Sequence, residues 1–198
     1  MFFSFSLLLN SSFAEEVIKD GIQKYYYDSG ELWAEKAYKD GKQNGISREY
    51  FRNGKISKEC NYENGAKEGV YKFYYRSGQL REEWTFHKDK LNGEYKTYFE
   101  SGKIQEIGQM KNNAILGSYK VFYESGQIQE EGECVVGKDE GPYKIYYEDG
   151  KVKEEGHQRN GQPLGVVKKY DGTGKLLEWG VSDGKNYRSI KINGQGKK

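Results

Sequence analysis

This 198-residue sequence is short of the side chains that usually build a protein interior. Its hydrophobic fraction is 35%, where an ordinary domain has about 45–50% with glycine counted in. One large core of Leu, Val and Ile is therefore excluded. Cysteine is scarce as well. Cys60 and Cys134 are the only two, and they form neither a disulfide framework nor a CxxC zinc pattern. Charge of one sign is not in excess: 32 Lys and Arg face 30 Asp and Glu. That balance gives no broad electrostatic footprint for DNA or RNA. No apolar run reaches the ~20 residues needed to cross a bilayer as a helix.

Aromatics and glycine are abundant instead. The chain holds 18 Tyr, 9 Phe, 3 Trp and 26 Gly, and so many aromatics exclude a disordered polar chain. The first residues stand apart. Met1 to Ala14 carry no charged side chain, and Ser12-Phe13-Ala14 places small residues at −3 and −1 of a cleavage site. Residues 1–14 read as a secretory signal peptide cleaved after Ala14. The expected location is then the periplasm or cell surface, the alternative being a cytoplasmic protein with an apolar N-terminus.

The glycines are periodic. One series is Gly21, Gly45, Gly69, Gly93, Gly117, Gly141 and Gly165; a second is Gly30, Gly54, Gly78, Gly102, Gly126, Gly150 and Gly174. Every step is 24 residues, without insertion or deletion, which defines seven units over residues 21–188. Within a unit, a strand such as Tyr143-Lys144-Ile145-Tyr146-Tyr147 is followed by a turn such as Glu148-Asp149-Gly150 and a second strand from Lys151 to Glu155. A return turn then carries Asp40-Gly41, Asn64-Gly65 or Asn160-Gly161, pairs that favour tight hairpins. The expected fold is all-β: an elongated single sheet of stacked antiparallel β-hairpins over residues 15–192, with a frayed tail at 193–198. Residues 15–20 and 189–192 are expected to add edge strands. The seventh unit is degenerate, and Asp171-Gly172-Thr173-Gly174 reads as a widened turn.

Counting from the first glycine, position 6 holds Tyr26, Tyr50, Tyr74, Tyr98, Phe122, Tyr146 and Tyr170, and position 7 is aromatic except at Asp171. Adjacent strand residues face opposite ways. Positions 3, 5 and 7, joined by the aliphatic position 12 (Leu32, Ile56, Leu80, Ile104, Ile128, Val152 and Leu176), are expected to form the core side. Position 6 then shares an exposed face with the basic column at position 4. The candidate binding face is Tyr26, Tyr50, Tyr74, Tyr98 and Tyr146 with Lys72, Lys96, Lys120 and Lys144. At about 9.5 Å per unit the face is about 65 Å long, and the two cysteines lie about 28 Å apart, too far for a disulfide.

No catalytic constellation emerges. His87 and His157 fall at different unit positions, and the Glu82-Glu83, Glu130-Glu131 and Glu154-Glu155 pairs recur with the unit, as a solvated ladder facing Lys would. There is no P-loop, no dinucleotide fingerprint and no calcium-type repeat. Neither cofactor nor metal is expected.

The unit Gly-x-Tyr-Lys-x-Tyr-Tyr-x-Ser-Gly-x-Ile-x-x-Glu-Glu-Gly resembles the bacterial MORN-variant repeat over residues 21–188. Many proteins of this type are grouped as YwqK-like antitoxins or immunity proteins. The resemblance implies an elongated hairpin sheet and a binding role without catalysis, with a protein partner expected. The alternative is a cell-envelope module that binds glycan or wall material through exposed aromatics.

Overall fold

The hairpin period is realised in a computed structural model that describes residues 19–191. The signal-peptide reading of residues 1–14 falls outside them, as does the tail at 193–198. The first unit contributes β1 (Gly21–Tyr26) and β2 (Leu32–Lys39). Then follow β3 (Lys42–Gln43), β4 (Gly45–Tyr50), β5 (Ile56–Glu63), β6 (Ala66–Lys67), β7 (Gly69–Tyr74) and β8 (Leu80–His87). The middle holds β9 (Lys90–Tyr98), β10 (Ile104–Lys111), β11 (Ala114–Ile115), β12 (Gly117–Phe122) and β13 (Ile128–Val135). The last are β14 (Lys138–Tyr146), β15 (Val152–Arg159), β16 (Gln162–Tyr170), β17 (Leu176–Asp183) and β18 (Tyr187–Lys191). Apart from the two-residue strands β3, β6 and β11, each strand pairs antiparallel with the next one along the chain in one open sheet of 18 strands. The two-residue strands are only the leading ends of β4, β7 and β12, split off by a local bulge. Among the described residues, Lys19 and Asp20 lie outside any strand and β1 forms the first edge, while β18 realises the strand expected near 189–192.

The first turn of each unit has a three-residue loop. In unit 1 the Tyr27 N–H donates to the Glu31 carbonyl and the Gly30 N–H to the Tyr27 carbonyl, both at 2.9 Å. This is a type I turn closed by a residue at positive φ, and Gly30 supplies it at +95°. The loop of unit 7 is the same size, not widened. Asp171 N–H donates to Lys175 and Gly174 N–H to Asp171, and the Asp171 carboxylate accepts from Thr173 and Lys175. The return turns are two-residue loops with both residues at positive φ, as in Asp40 (50°) and Gly41 (70°). Lys88-Asp89, Asn112-Asn113 and Val136-Gly137 adopt the same turn without the sequence signature of the other three.

Each unit head is a bulge. Gly93 sits there at φ +129°, and a Cβ on it would fall 2.9 Å from Thr85. The bulge shifts the inter-unit register by two residues, for example from Met110↔Ile115 to Glu106↔Val121, so the faces stay in phase. A second bulge lies beside each first turn, where Tyr25 opposes Ala34 but Tyr26 opposes Leu32. This second bulge overturns the expected place of position 12. It lies directly across from position 6 in every unit and shares that face, not the core side. Position 7 is also not a strand residue: it is the first residue of the turn.

The core side is the face of positions 3, 5, 14, 16 and 18. Ala34, Ser47, Cys60, Tyr95, Met110, Tyr119, Cys134, Tyr143, Val167 and Ser182 are buried there. Tyr95, 2% exposed, lies over Gly108 opposite it; a Cβ on that glycine would meet the ring at 2.7 Å. Tyr119 covers Gly132 and Tyr143 covers Gly156 in the same way. Rings laid over cross-strand glycines make a core one side chain thick. Trp84 stacks on Tyr95 at 5.0 Å and 9°, a pair worth about 0.5–1.5 kcal/mol beyond its burial. Both cysteines are buried and free.

Val136 is a β-branched residue at φ 53° where other units carry Asp, Asn or Lys. The left-handed region costs an L-residue about 1–2 kcal/mol, and asparagine less than most. Val136→Asn should therefore stabilise the protein by about 1 kcal/mol, read as a higher denaturant midpoint at unchanged slope. An unchanged or lower midpoint contradicts the strain.

Candidate functional site

The outer face carries positions 2, 4, 6, 12, 15 and 17, and its chemistry is organised in rows that run across the strands. Position 4 of each unit pairs with position 15 of the same unit and, from the second unit on, with position 15 of the unit before. The register runs Lys24, Glu35, Arg48, Glu59, Lys72, Glu83, Lys96, Ile107, Lys120, Glu131, Lys144, Glu155, Lys168, Trp179. Cations and carboxylates alternate along this ladder except at Ile107 and at its end. Lys24 lies 3.0 Å from Glu35, Arg48 2.6 Å from Glu59 and Lys168 3.6 Å from Glu155. Exposed pairs of this kind are each worth about 0–1 kcal/mol, so the ladder sets register more than stability.

A parallel row holds the position 6 rings, each opposite an aliphatic position 12. Four of the six tyrosine hydroxyls in this row are held by a carboxylate. Tyr50 donates to Glu35 at 2.8 Å, Tyr98 to Glu83 at 2.7 Å, Tyr146 to Glu131 at 2.6 Å and Tyr170 to Glu155 at 2.8 Å. Each bond spans a unit boundary. The one unit with Phe122 at position 6 follows the one unit with Ile107 at position 15: donor and acceptor are lost together. Position 7 makes a second tie. Tyr27, Tyr75, Tyr123 and Tyr147 donate to the backbone carbonyls of Tyr50, Tyr98, Tyr146 and Tyr170 at 2.7–2.8 Å.

The sequence-derived candidates Tyr26, Tyr50, Tyr74, Tyr98, Tyr146, Lys72, Lys96, Lys120 and Lys144 thus fall in two adjacent rows of one face. The same geometry corrects the reading of the acidic pairs. Of each pair, only Glu83, Glu131 and Glu155 face the position 4 lysines. Their neighbours point to the core side, where Glu82 accepts from Trp84 Nε1 at 2.8 Å and Glu130 and Glu154 accept from Tyr119 and Tyr143 at 2.6 Å. Adjacent strand residues face opposite ways, so this division was available from the period of two.

Shallow troughs lie between the rows. One of about 280 Å³ is lined by Lys120, Glu131, Gly132, Glu133, Pro142 and Lys144. Another of about 350 Å³ holds Lys144, Glu155, His157, Val166 and Lys168. His87 is elsewhere, its Nδ1 2.8 Å from Glu68 at a return turn. Among the described residues, no group of three or more His, Cys, Asp or Glu is placed to hold a metal ion, and no helix is long and apolar enough to cross a membrane. Trp33, Trp84 and Trp179 occupy three different unit positions, and Trp84 faces the core side, so they form no repeating cage.

Titration behaviour follows from packing. Burial and then the Glu131 hydrogen bond push the Tyr146 phenol up to about 12. Burial pushes Tyr38 to about 12 as well, with Tyr25 next in effect. Tyr98, Tyr119 and Tyr143 are pushed up further, by burial first and a carboxylate second. The Tyr50 hydroxyl, and then Lys24, hold Glu35 below the usual carboxylate range. Burial lifts Cys60 to about 11; burial and then Asp139 lift Cys134 to about 12. Neither thiol is an activated nucleophile.

The sequence pattern of a family described as MORN repeat variant matches residues 19–40, 43–64, 67–88, 91–112, 115–133 and 139–160. The seventh unit lies outside these matches, although β16 and β17 pair in the same register as earlier hairpins. No curated protein matches the chain. Among solved structures it is similar to S. aureus TarM, in the crystal structure of a mutant in complex with Fondaparinux, alpha-GlcNAc-glycerol and UDP. Identity there is 13% over 70% of this chain and 21% of that chain, with a TM-score of 0.27. The chain thus spans about a fifth of that protein's length, and a likeness at that score carries no argument.

The folded protein holds these phenols neutral. Unfolded tyrosines ionise near pH 10, whereas Tyr38, Tyr146 and Tyr187 ionise at about 12 in the fold. Their contribution is therefore complete below about pH 10 and is lost as pH rises through about 12. Phenolate absorbance and circular dichroism, followed together, should show strand signal collapsing above about pH 11 as a late wave of ionisation appears. Full ionisation near pH 10 with the sheet intact would contradict this packing.

Proposed function

The chain belongs to the MORN repeat variant family, and on that premise we propose that it is a non-catalytic scaffold binding a protein partner through its outer face, in the manner of a YwqK-like antitoxin or immunity protein. The observation that carries this reading is the state of the position 6 tyrosines. Four of their hydroxyls are held by carboxylates of the preceding unit. Side chains already fixed in one rotamer lose little entropy when a partner covers them. Beside them runs the ladder of alternating charge, which favours a partner of complementary pattern and penalises others. The same bonds argue against catalysis: the phenols are neutral donors with raised pKa values, and each of the four carboxylates is already engaged by one of them.

The proposal includes export from a bacterial cell, with residues 1–14 removed. N-terminal sequencing of the protein from fractionated cells should then begin at Glu15 in an envelope or external fraction. A chain that begins at Met1 in the cytoplasm overturns export and leaves the binding role to be judged separately.

Binding through the face is tested with a triple variant, Lys72→Gln, Lys120→Gln and Lys144→Gln. Surface cations contribute little to stability, so the melting temperature should shift by no more than a few degrees. Capture of a specific protein from the native cell by wild type, weakened at least tenfold in the variant, supports the face. Equal capture by both proteins sinks it.

A further inference from the structure

Four of the six internal joints of the sheet contain a slot for a carboxylate. A position 15 glutamate lies on the outer face between the position 4 cations of its own and the next unit, and accepts the hydroxyl of the next unit's position 6 tyrosine. Glu35 has Lys24 at 3.0 Å, Arg48 across the ladder and Tyr50 at 2.8 Å. Glu83 has Lys72 at 3.9 Å and Tyr98 at 2.7 Å; Glu131 has Lys120 at 3.7 Å and Tyr146 at 2.6 Å.

β1 presents the far half of such a slot, and no described residue fills it. Among the described residues β1 pairs only with β2. Lys24 therefore has a carboxylate on one side alone. Tyr26 is 60% exposed, against half-buried rings at the same place in later units, and its hydroxyl has no partner among the described residues. Gly21 already holds φ +104°, inside the +77° to +129° range of the other joint glycines, with no side chain across from it. The edge is shaped as a joint.

The chemistry of the chain narrows what fits. Continued backward in the 24-residue frame, the slot position falls on Ser11, which has no carboxylate. β18 offers Tyr, Arg, Ser, Ile and Lys, and β1 itself has no acid. A second copy placed by either edge strand would bring no carboxylate to Lys24. We propose that the β1 edge accepts an extended strand from a different polypeptide, added antiparallel, with a glutamate seated between Lys24 and the Tyr26 hydroxyl. Strand addition supplies backbone hydrogen bonds for affinity and one side-chain slot for specificity. This surface is the β1 edge of the sheet, where the two outer-face rows begin, and it does not include Lys72, Lys120 or Lys144.

The probe is a synthetic peptide with the sequence of Leu32–Lys39, whose glutamate matches the slot, and its counterpart with glutamine in that place. Both are titrated to millimolar concentration into the full chain, followed by amide NMR shifts and hydrogen exchange. The glutamate peptide should shift and protect the amides of Gly21–Tyr26. The glutamine peptide should bind about tenfold more weakly, and Tyr26→Phe should weaken the glutamate peptide several-fold. The outer-face triple variant should bind both peptides as wild type does, which separates this proposal from the one above. The proposal is overturned by absence of shifts at β1, by equal affinity for the two peptides, or by β1 amides already fully protected before peptide is added.

Discussion

The structure depends on the joint between units. A single hairpin is marginal in water, and each unit here is a hairpin with little aliphatic material. What makes it persist is coupling to the next copy. At every joint the strands pair, neighbouring return turns meet through backbone bonds such as Gly65 N–H to Gln43 and Gly137 N–H to Ile115 at 2.8 Å, and at four of the six joints tyrosine hydroxyls cross the boundary to glutamates and carbonyls. Stability in such an array is close to a sum over units and interfaces. A weak joint therefore acts locally, and a missing one exposes a half-formed set of partners.

The two faces divide the work of tyrosine. On the core side the ring matters: Tyr95, Tyr119 and Tyr143 fill the space above glycines, and Glu106, Glu130 and Glu154 accept from their hydroxyls, so none of the three is buried unpaired. On the outer face the hydroxyl matters more, since it ties unit to unit while the ring stays half-exposed. The same residue type can serve both because it carries an apolar body and a polar tip. This accounts for a folded chain with so few aliphatics.

Much of this was legible in the sequence, and the limits have a physical cause. The two glycine series mark a turn and a bulge because both need positive φ, and that requirement repeats without fail. The exposed row at positions 4 and 6 follows from alternation alone. Position 12 was misplaced because alternation was carried through a bulge, which resets the face of everything beyond it. The cross-unit bonds join residues 15 and 23 apart, and no local pattern reports them. One trace was nevertheless present: Ile107 and Phe122 depart from the repeat together, as a lost acceptor and a lost donor should. Lys88-Asp89 and Asn112-Asn113 were not legible as return turns, since the flanking strands impose positive φ on residues that do not advertise it.

The two ends of the array differ in kind. In the last unit Trp179 stands where a glutamate would receive the next tyrosine, and Asp171 stands where a tyrosine would reach the next carbonyl. Asp171 instead spends its carboxylate on its own turn, and Tyr187 of β18 lies over Gly180 while donating to Glu178 at 3.0 Å. The last hairpin is thus closed by residues of its own neighbourhood and offers no slot for continuation. The first unit shows no comparable substitution. Lys24, Tyr26 and Gly21 keep the joint residue types, so among the described residues the directionality of the repeat ends in an acceptor at one edge and a cap at the other. Complementary open edges let copies join head to tail; among the described residues the β18 edge carries no carboxylate to match Lys24, so the two edges do not complement each other.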